Sequence, residues 1–342
     1  MDPKKTKWNK LDFSYRYVPY RFHAHWKKGA WDDGKLVTEN KISIDEGATT
    51  LHYGQQIFEG MKAQMSKDGR VLLFRPHENA RRFQKSAERL LMAVVPEELF
   101  MKGITETIKA NKEYVPPYGY GASLYIRPFL IGIGENLGVR PAPEYLFVVF
   151  VSPVGPYFKE GFKPISLKVE TFFDRCAAHG IGAAKAGGNY SASLLPSKCA
   201  REEGFKDVVY LDSIEHKYFE ESGISNVFFV FKNGTLATPK SDSILNSITR
   251  QSIVQVARED FNLTVEERRI HVDEISEMAE AGACGTAAVI TPIGSLGYSG
   301  KIYRFYADGK EAGPITNKLY KHLSALHVGD IEDTRGWLEE VK

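Results

Sequence analysis

The chain is short of cysteine. Cys176, Cys199 and Cys284 are the only three, they stand far apart, and no CxxC pair occurs. So sparse and odd-numbered a set excludes a disulfide scaffold and fits a reducing, cytoplasmic compartment. Long apolar runs are missing as well: no uninterrupted stretch approaches the ~20 residues of a membrane helix. The basic opening MDPKKTKWNK lacks the apolar run of a secretory signal and reads as an exposed terminus. A net charge of +2 is too small an excess to indicate nucleic acid. Internal repeats, HExxH and Cys/His frameworks are absent. His23 and His25 in "HAH" would share one face of a strand, but nothing joins them into a metal site. In "GIGENLG" (132 to 138) the third glycine comes one place late for a dinucleotide loop, and "GYSGKI" lacks the hydroxyl residue that follows a P-loop lysine.

What is present is a core and an alternation of elements. At 342 residues the chain has room for two domains. The runs "VLLF" (71 to 74), "ASLYI" (122 to 126) and "EYLFVVFV" (144 to 151) read as strands. Residues 77 to 92 read as an amphipathic helix, with Ala80, Phe83, Ala87, Leu90 and Leu91 on the apolar stripe and Arg82, Lys85 and Arg89 off it. A second helix follows from Pro96. The proline- and glycine-rich "PVGPYFKEGFKP" marks an interdomain connection. The second half opens with the strand "DVVYLD" and adds a hairpin at Asn233-Gly234, a capped helix at "SITRQSIVQVARED", the strand "AAVITP" and a terminal helix at "GPITNKLYKHLSALH". The expected class is α+β, arranged as an α/β two-domain chain with domains at 1–155 and 165–342 joined by 156–164.

One lysine stands apart. Lys185 lies in "GIGAAKAGGNYSAS" with no other charge between Arg175 and Lys198, and Gly182, Gly187 and Gly188 would let the backbone crowd something bulky. A lysine with its ordinary pKa near ~10.4 is almost never neutral at pH 7, so an amine nucleophile must be desolvated or condensed with a carbonyl. Composition alone leaves two readings, such a nucleophile or a surface lysine in a glycine-rich loop. Elsewhere, either Glu220 or Glu221 in "YFEESGISNVFF" could sit beside a cationic ring nitrogen. The helix start at Ile248 and Thr249 offers backbone N–H groups to a phosphate, and Thr286 precedes a strand.

Taken together, seven segments resemble, in order, the branched-chain aminotransferases of the fold-type IV pyridoxal-phosphate (PLP) enzymes. They are "LHYGQQIFEGMKA", "FRPHENARRF", "YIRPFLIG", "AAKAGGNYSASL", "FEESGISNVF", "LNSITR" and "GTAAVITP". The resemblance implies a smaller N-terminal α/β domain and a larger C-terminal pseudo-barrel domain that binds PLP. It implies that Lys185 holds the cofactor as an internal Schiff base and shuttles the proton, with Glu221 at the pyridine nitrogen and Tyr190 at the 3-oxygen. Arg82 would hold the phosphate with Ile248, Thr249 and Thr286; charge alone leaves Arg75 and Arg81 as competitors, and the family spacing selects Arg82. Phe58, Tyr125 and Tyr157 would wall the substrate pocket, with Tyr53 reaching in from the partner of a homodimer. Arg127 and Tyr125 would meet carboxylates, and the amides near Ala287 and Ala288 the α-carboxylate.

The implied reaction transfers the amino group of L-leucine, L-isoleucine or L-valine to 2-oxoglutarate, giving branched-chain 2-oxo acids and L-glutamate. The partners are therefore small amino and oxo acids. Alternatives on the same fold are a D-amino-acid aminotransferase, an aminodeoxychorismate lyase and a non-catalytic PLP-binding protein; "YIRP" with Arg127 and the long N-terminal segment favour the branched-chain class. Two departures stand out. Ala288 and Thr291 replace the redox CxxC of the mammalian members, so no thiol switch of that kind is expected. Ser222 and Ser225 replace the glycine and glutamate more usual beside Glu221 and Asn226.

Overall fold

The run EYLFVVFVSPV has no polar face to turn to water, and a strand of that kind belongs in the middle of a sheet. In the computed structural model, which describes residues 1–156 and 161–342, this strand, Glu144–Val154, is buried along nearly its whole length. It pairs antiparallel with Ser123–Ile133 on one side and Arg21–Lys27 on the other. Tyr157 and part of the expected connection at 156–164 lie outside the described residues.

The chain divides into two compact units. The first comprises Met1–Lys159, Ala184–Gly187 and Ala325–Lys342, the second Glu160–Ala183 and Gly188–Ser324. The chain's end belongs to the first unit because Leu338–Glu340 adds an antiparallel strand to Val71–Phe74. That unit's nine-stranded sheet runs in the order Leu338–Glu340, Val71–Phe74, Met61–Met65, Ser123–Ile133, Glu144–Val154, Arg21–Lys27 and Ala30–Trp31. Lys35–Val37 and Gln56–Phe58 pair alongside.

Helices Pro76–Arg89 and Glu97–Ala110 belong to the core under this sheet. Phe83, Phe100 and Phe147 meet there with ring centroids 5.3 to 5.9 Å apart. Proline at the first helical position suits the entry, since its missing N–H would be unpaired anyway. The predicted stripe holds at Ala80, Phe83 and Ala87 and fails at its end. The helix stops at Arg89 and the backbone turns left-handed at Leu91 (φ 52°), leaving that side chain 70% exposed. Arg82, expected off the apolar stripe, is instead buried, because a buried carboxylate draws it inward.

In the second unit six strands close into a ring, the expected barrel: Phe219–Ser222, Asp207–Leu211, Ile165–Glu170, Val289–Tyr298, Met278–Gly285 and Asn226–Phe231, which pairs back onto the first. Ile165–Glu170 runs parallel to both its neighbours; the other pairings in the ring are antiparallel. The Asn233-Gly234 turn forms as predicted, with Gly234 at φ 85° and Thr235 N–H donating to Asn233 Oδ1. Helix Ile248–Glu259 starts where the sequence places it, Ser247 accepting from the Arg250 N–H. Among the described residues no helix is long and apolar enough to cross a membrane.

His327, the last residue of helix Pro314–His327, is buried against Phe74 with ring centroids 4.1 Å apart. Burial, aided by the Lys62 ammonium, pushes it down to about 3. The unfolded chain therefore binds a proton that the folded one refuses between its ordinary value near ~6.5 and about 3, and stability falls as pH falls through that window. His327→Phe is expected to flatten the pH dependence of urea-unfolding free energy there by up to about 1.4 kcal/mol per pH unit. An unchanged slope would show that this histidine titrates alike in both states.

Candidate active site

Lys185 acquires its surroundings from the first unit. Its N–H donates to Ser86 Oγ at 3.0 Å, and its carbonyl accepts from the Phe58 N–H at 3.0 Å. These bonds, with the bridge between Ile57 and Ala186, pin the lysine's backbone beside strand Gln56–Phe58. Its Nζ lies 4.9 Å from the Phe58 ring centroid, and the same ring receives the Arg127 guanidinium at 4.8 Å. Arg127 Nη2 donates to Tyr125 Oη at 3.3 Å. Alternation along Ser123–Ile133 puts residues 125 and 127 on one face, so the strand itself brings these two together. Phe58, Tyr125, Arg127 and Lys185 thus form one cluster of aromatic rings and cations.

Behind it lies a residue to which the sequence reading gave no role. Glu59 is fully buried and forms a two-pronged pair with Arg82, Nε to Oε1 at 2.7 Å and Nη2 to Oε2 at 2.8 Å. Asn79 Nδ2 and the Gly60 N–H add further bonds to Oε2. Burial alone would raise the Glu59 carboxyl; Arg82, helped by Lys185 and Asn79, more than offsets it and holds the group ionised below the usual glutamate range. The available signal was a charge in "IFEGM", flanked on both sides by strand residues. The competing arginines are engaged elsewhere: Arg75 stacks on Trp337 and Arg81 pairs with Glu78. Tyr53 is exposed, its hydroxyl donating to the Leu137 carbonyl.

The second unit gathers the other candidates. Glu221 and Asn226 are paired residues of the hairpin Phe219–Ser222/Asn226–Phe231, so the register brings Asn226 Nδ2 to Glu221 Oε2 at 2.8 Å. The Leu245 N–H donates to Oε1 at 2.6 Å, and Arg175 Nη2 lies 3.0 Å from the same oxygen. Ser222 and Ser225, the two departures from the family pattern, bond to each other, Oγ to Oγ at 2.7 Å and Ser222 N–H to Ser225 carbonyl at 2.9 Å. The substitutions therefore close the hairpin turn and leave Glu221 in place.

Tyr190 lies half-buried within Gly187–Ser191, close enough to Arg175 to act on it electrostatically. Ile248 and Thr249 open a twelve-residue helix, where the first backbone N–H groups have no acceptor within the helix. Thr286, Ala287 and Ala288 form the turn between Met278–Gly285 and Val289–Tyr298. Val289 closes that turn at φ 63°, a left-handed conformation that β-branched residues rarely adopt. Crowding at Gly182 and Gly187 is by the protein itself: a Cβ would run into the Ser243 carbonyl and Cys176 at the first and into Gln56 at the second, while at Gly188 it would only touch Ile181 at 3.9 Å.

The family model of amino-transferase class IV matches residues 56–296, the class of protein that the fold and these two clusters define. The chain is 49% identical to the branched-chain-amino-acid aminotransferase of Haemophilus influenzae, covering 99% of this chain and all of that one. Two solved structures of a branched-chain amino acid aminotransferase from the source abbreviated T.th. are also similar. One, with pyridoxamine 5'-phosphate, has a TM-score of 0.77 at 28% identity, over 93% of this chain and 98% of that one. The other, complexed with N-(5'-phosphopyridoxyl)-L-glutamate, has a TM-score of 0.75 at 27% identity with the same coverage. The chain belongs to the branched-chain-amino-acid aminotransferase family, an enzyme family within class IV.

Removing one partner of a buried ion pair strands the other. Glu59→Gln is expected to lower unfolding free energy at pH 7 by roughly 3–5 kcal/mol, measured in urea. Because the folded-state value of Glu59 is depressed, its contribution is present above the ordinary glutamate value and lost as pH falls through the folded one. The difference between wild type and variant should therefore shrink on acidification; a difference that does not change with pH would mean that Glu59 is not ionised in the fold.

Proposed function

We propose that this enzyme transfers the amino group of L-leucine, L-isoleucine or L-valine to 2-oxoglutarate with pyridoxal 5'-phosphate as cofactor, working as a cytoplasmic homodimer. The observation that carries the reading is Glu221, a buried carboxylate held by three donors in a cluster that still has unmet polar capacity. Arg175 Nε and Asn226 Oδ1 beside it are buried without a hydrogen-bond partner among the described residues. Buried polar atoms are rarely left so, and a polar heterocycle fits such a cluster. Support for the cofactor and for glutamate also comes from the two similar structures that hold pyridoxamine 5'-phosphate and the phosphopyridoxyl-glutamate adduct.

When bound, pyridoxal 5'-phosphate supplies a carbonyl that takes up amines and a ring that accepts the electrons released at the substrate Cα. Glu221, paired with Arg175, faces the ring nitrogen and keeps a proton on it. Tyr190 donates to the ring oxygen. Arg82, with its plane set by Glu59, binds the phosphate together with the Ile248 and Thr249 N–H groups and Thr286. Lys185 Nζ removes the proton from the substrate Cα in one half-reaction and returns a proton to Cα in the other. Phe58, Tyr125 and Tyr157 give the side-chain pocket its apolar wall, joined by Tyr53 of the partner subunit. Arg127, stacked on the Phe58 ring, meets the γ-carboxylate of glutamate, so an aromatic face serves leucine and the cation beside it serves glutamate. The amides near Ala287 and Ala288 hold the α-carboxylate.

The test is the visible absorption of the purified holoenzyme and of Lys185→Ala, before and after L-leucine. Wild type should show a cofactor band that leucine bleaches and 2-oxoglutarate restores, with kcat for leucine in Lys185→Ala reduced at least ~1,000-fold. A band that leucine leaves unchanged would refute the substrate assignment. No cofactor band at all, even with added PLP, would refute the role of Lys185. Chiral analysis of the amino product and an assay for pyruvate from aminodeoxychorismate exclude the two related activities.

A further inference from the structure

The neutral stretch around Lys185 is bounded by a cation that neither the motif resemblance nor the proposed chemistry uses. Arg175 is 7% exposed, and its Nη2 both pairs with Glu221 Oε1 at 3.0 Å and donates to the Ser243 carbonyl. Gly182 makes the space: a Cβ there would meet that Nη2. The groups facing the guanidinium are Glu221, Cys176, Glu220 and Tyr190. Of these, Glu220 is already bonded by the Ser241 and Ser243 hydroxyls, and burial pushes the Cys176 thiol up, keeping it neutral. Glu221 is the acid left for Arg175 to pair with.

Two further donors to Glu221, the Asn226 amide and the Leu245 N–H, carry no charge. A carboxylate 4% exposed that lost the Arg175 cation would take up a proton more readily, because burial penalises the charged form. We propose that Arg175 is a positioning residue whose guanidinium holds Glu221 ionised and in one orientation, and so decides whether the proton shared with a heterocyclic nitrogen stays on that nitrogen. The proposal rests on the reading of Glu221 as the partner of the cofactor ring. A shared proton has two arrangements: carboxylate with protonated ring, or carboxylic acid with neutral ring. A fixed cation against the carboxylate favours the first, since it lies at the negative end of that charge-separated pair.

The test uses holoenzyme reconstituted with cofactor carrying nitrogen-15 in the ring, whose NMR shift reports ring protonation without turnover. Arg175→Met, Arg175→Lys and Glu221→Gln are compared with wild type over a pH series, with melting temperatures alongside. Wild type should give the protonated-ring signal; Glu221→Gln and Arg175→Met should both move towards the neutral-ring signal. In Arg175→Met kcat should fall about 10- to 100-fold, with KM changing less. Lysine cannot reach both Glu221 and the Ser243 carbonyl with a planar fork, so the ring in Arg175→Lys should lose its proton at a pH between those of wild type and the methionine variant. If Arg175→Met lowers the melting temperature but leaves the signal where it was, while Glu221→Gln moves it, Arg175 is structural only and the proposal fails with the Glu221 reading intact. If Glu221→Gln does not move the signal, the Glu221 reading itself fails and takes the proposal with it. Should Arg175→Met not fold, the lysine variant decides, and titration identical to wild type overturns the proposal.

Discussion

Taking a carboxylate out of water is the constraint around which both units of this protein are arranged. Glu59 and Glu221 are 0% and 4% exposed, and each is met by the same kinds of donor: one arginine, one asparagine and one backbone N–H. For Glu59 these are Arg82, Asn79 and Gly60; for Glu221 they are Arg175, Asn226 and Leu245. A buried charge persists only when paired and hydrogen-bonded, so neighbouring elements must deliver those donors. Asn79 and Arg82 stand three apart on one helix and therefore share a face. Asn226 is delivered by hairpin register. In both cases secondary structure fixes the electrostatics.

The two arrangements differ in how complete they are. Arg82 meets both oxygens of Glu59 with two nitrogens, a closed fork that favours rigidity. Arg175 meets Glu221 through one nitrogen, and its Nε and the Asn226 oxygen remain unpaired among the described residues. The closed fork fixes the plane of the Arg82 guanidinium, whereas the open pair leaves buried polar atoms beside Glu221 unpaired among the described residues.

Most of the fold was legible because local signals agreed with one another: continuous apolar runs for central strands, Asn-Gly for the hairpin, Pro and Ser at helix starts. The errors arose where a distant residue prevailed over the local pattern. Arg82 lies outside the apolar stripe of its helix, and it is Glu59, in the short link between strands Gln56–Phe58 and Met61–Met65, that explains its burial. Leu91 was expected to continue the stripe, but the helix had already ended; Leu90, its C-cap, still packs against the core. For the site, the bareness around Lys185 could be read directly. Of its neighbours, Phe58 came only with the family resemblance and Glu59 was missed, since both reach it through tertiary structure. Of the three glycines expected to let the backbone crowd something bulky, 182 and 187 are instead packed against the protein's own backbone and side chains.

The departures from the family pattern leave the local hairpin geometry intact. Serines 222 and 225 bond to one another across the hairpin turn, so the geometry around Glu221 survives without the usual residues. At the second turn the chain does the opposite and keeps a costly choice. Val289 in a left-handed conformation stores strain on the order of 1–3 kcal/mol that glycine would relieve. The antiparallel pairing of Met278–Gly285 with Val289–Tyr298 is long enough to enforce it. Local strain in the second turn and unmet hydrogen-bonding capacity around Glu221 are both departures from the most stable local arrangement, and both are enforced by the strand pairing that flanks them.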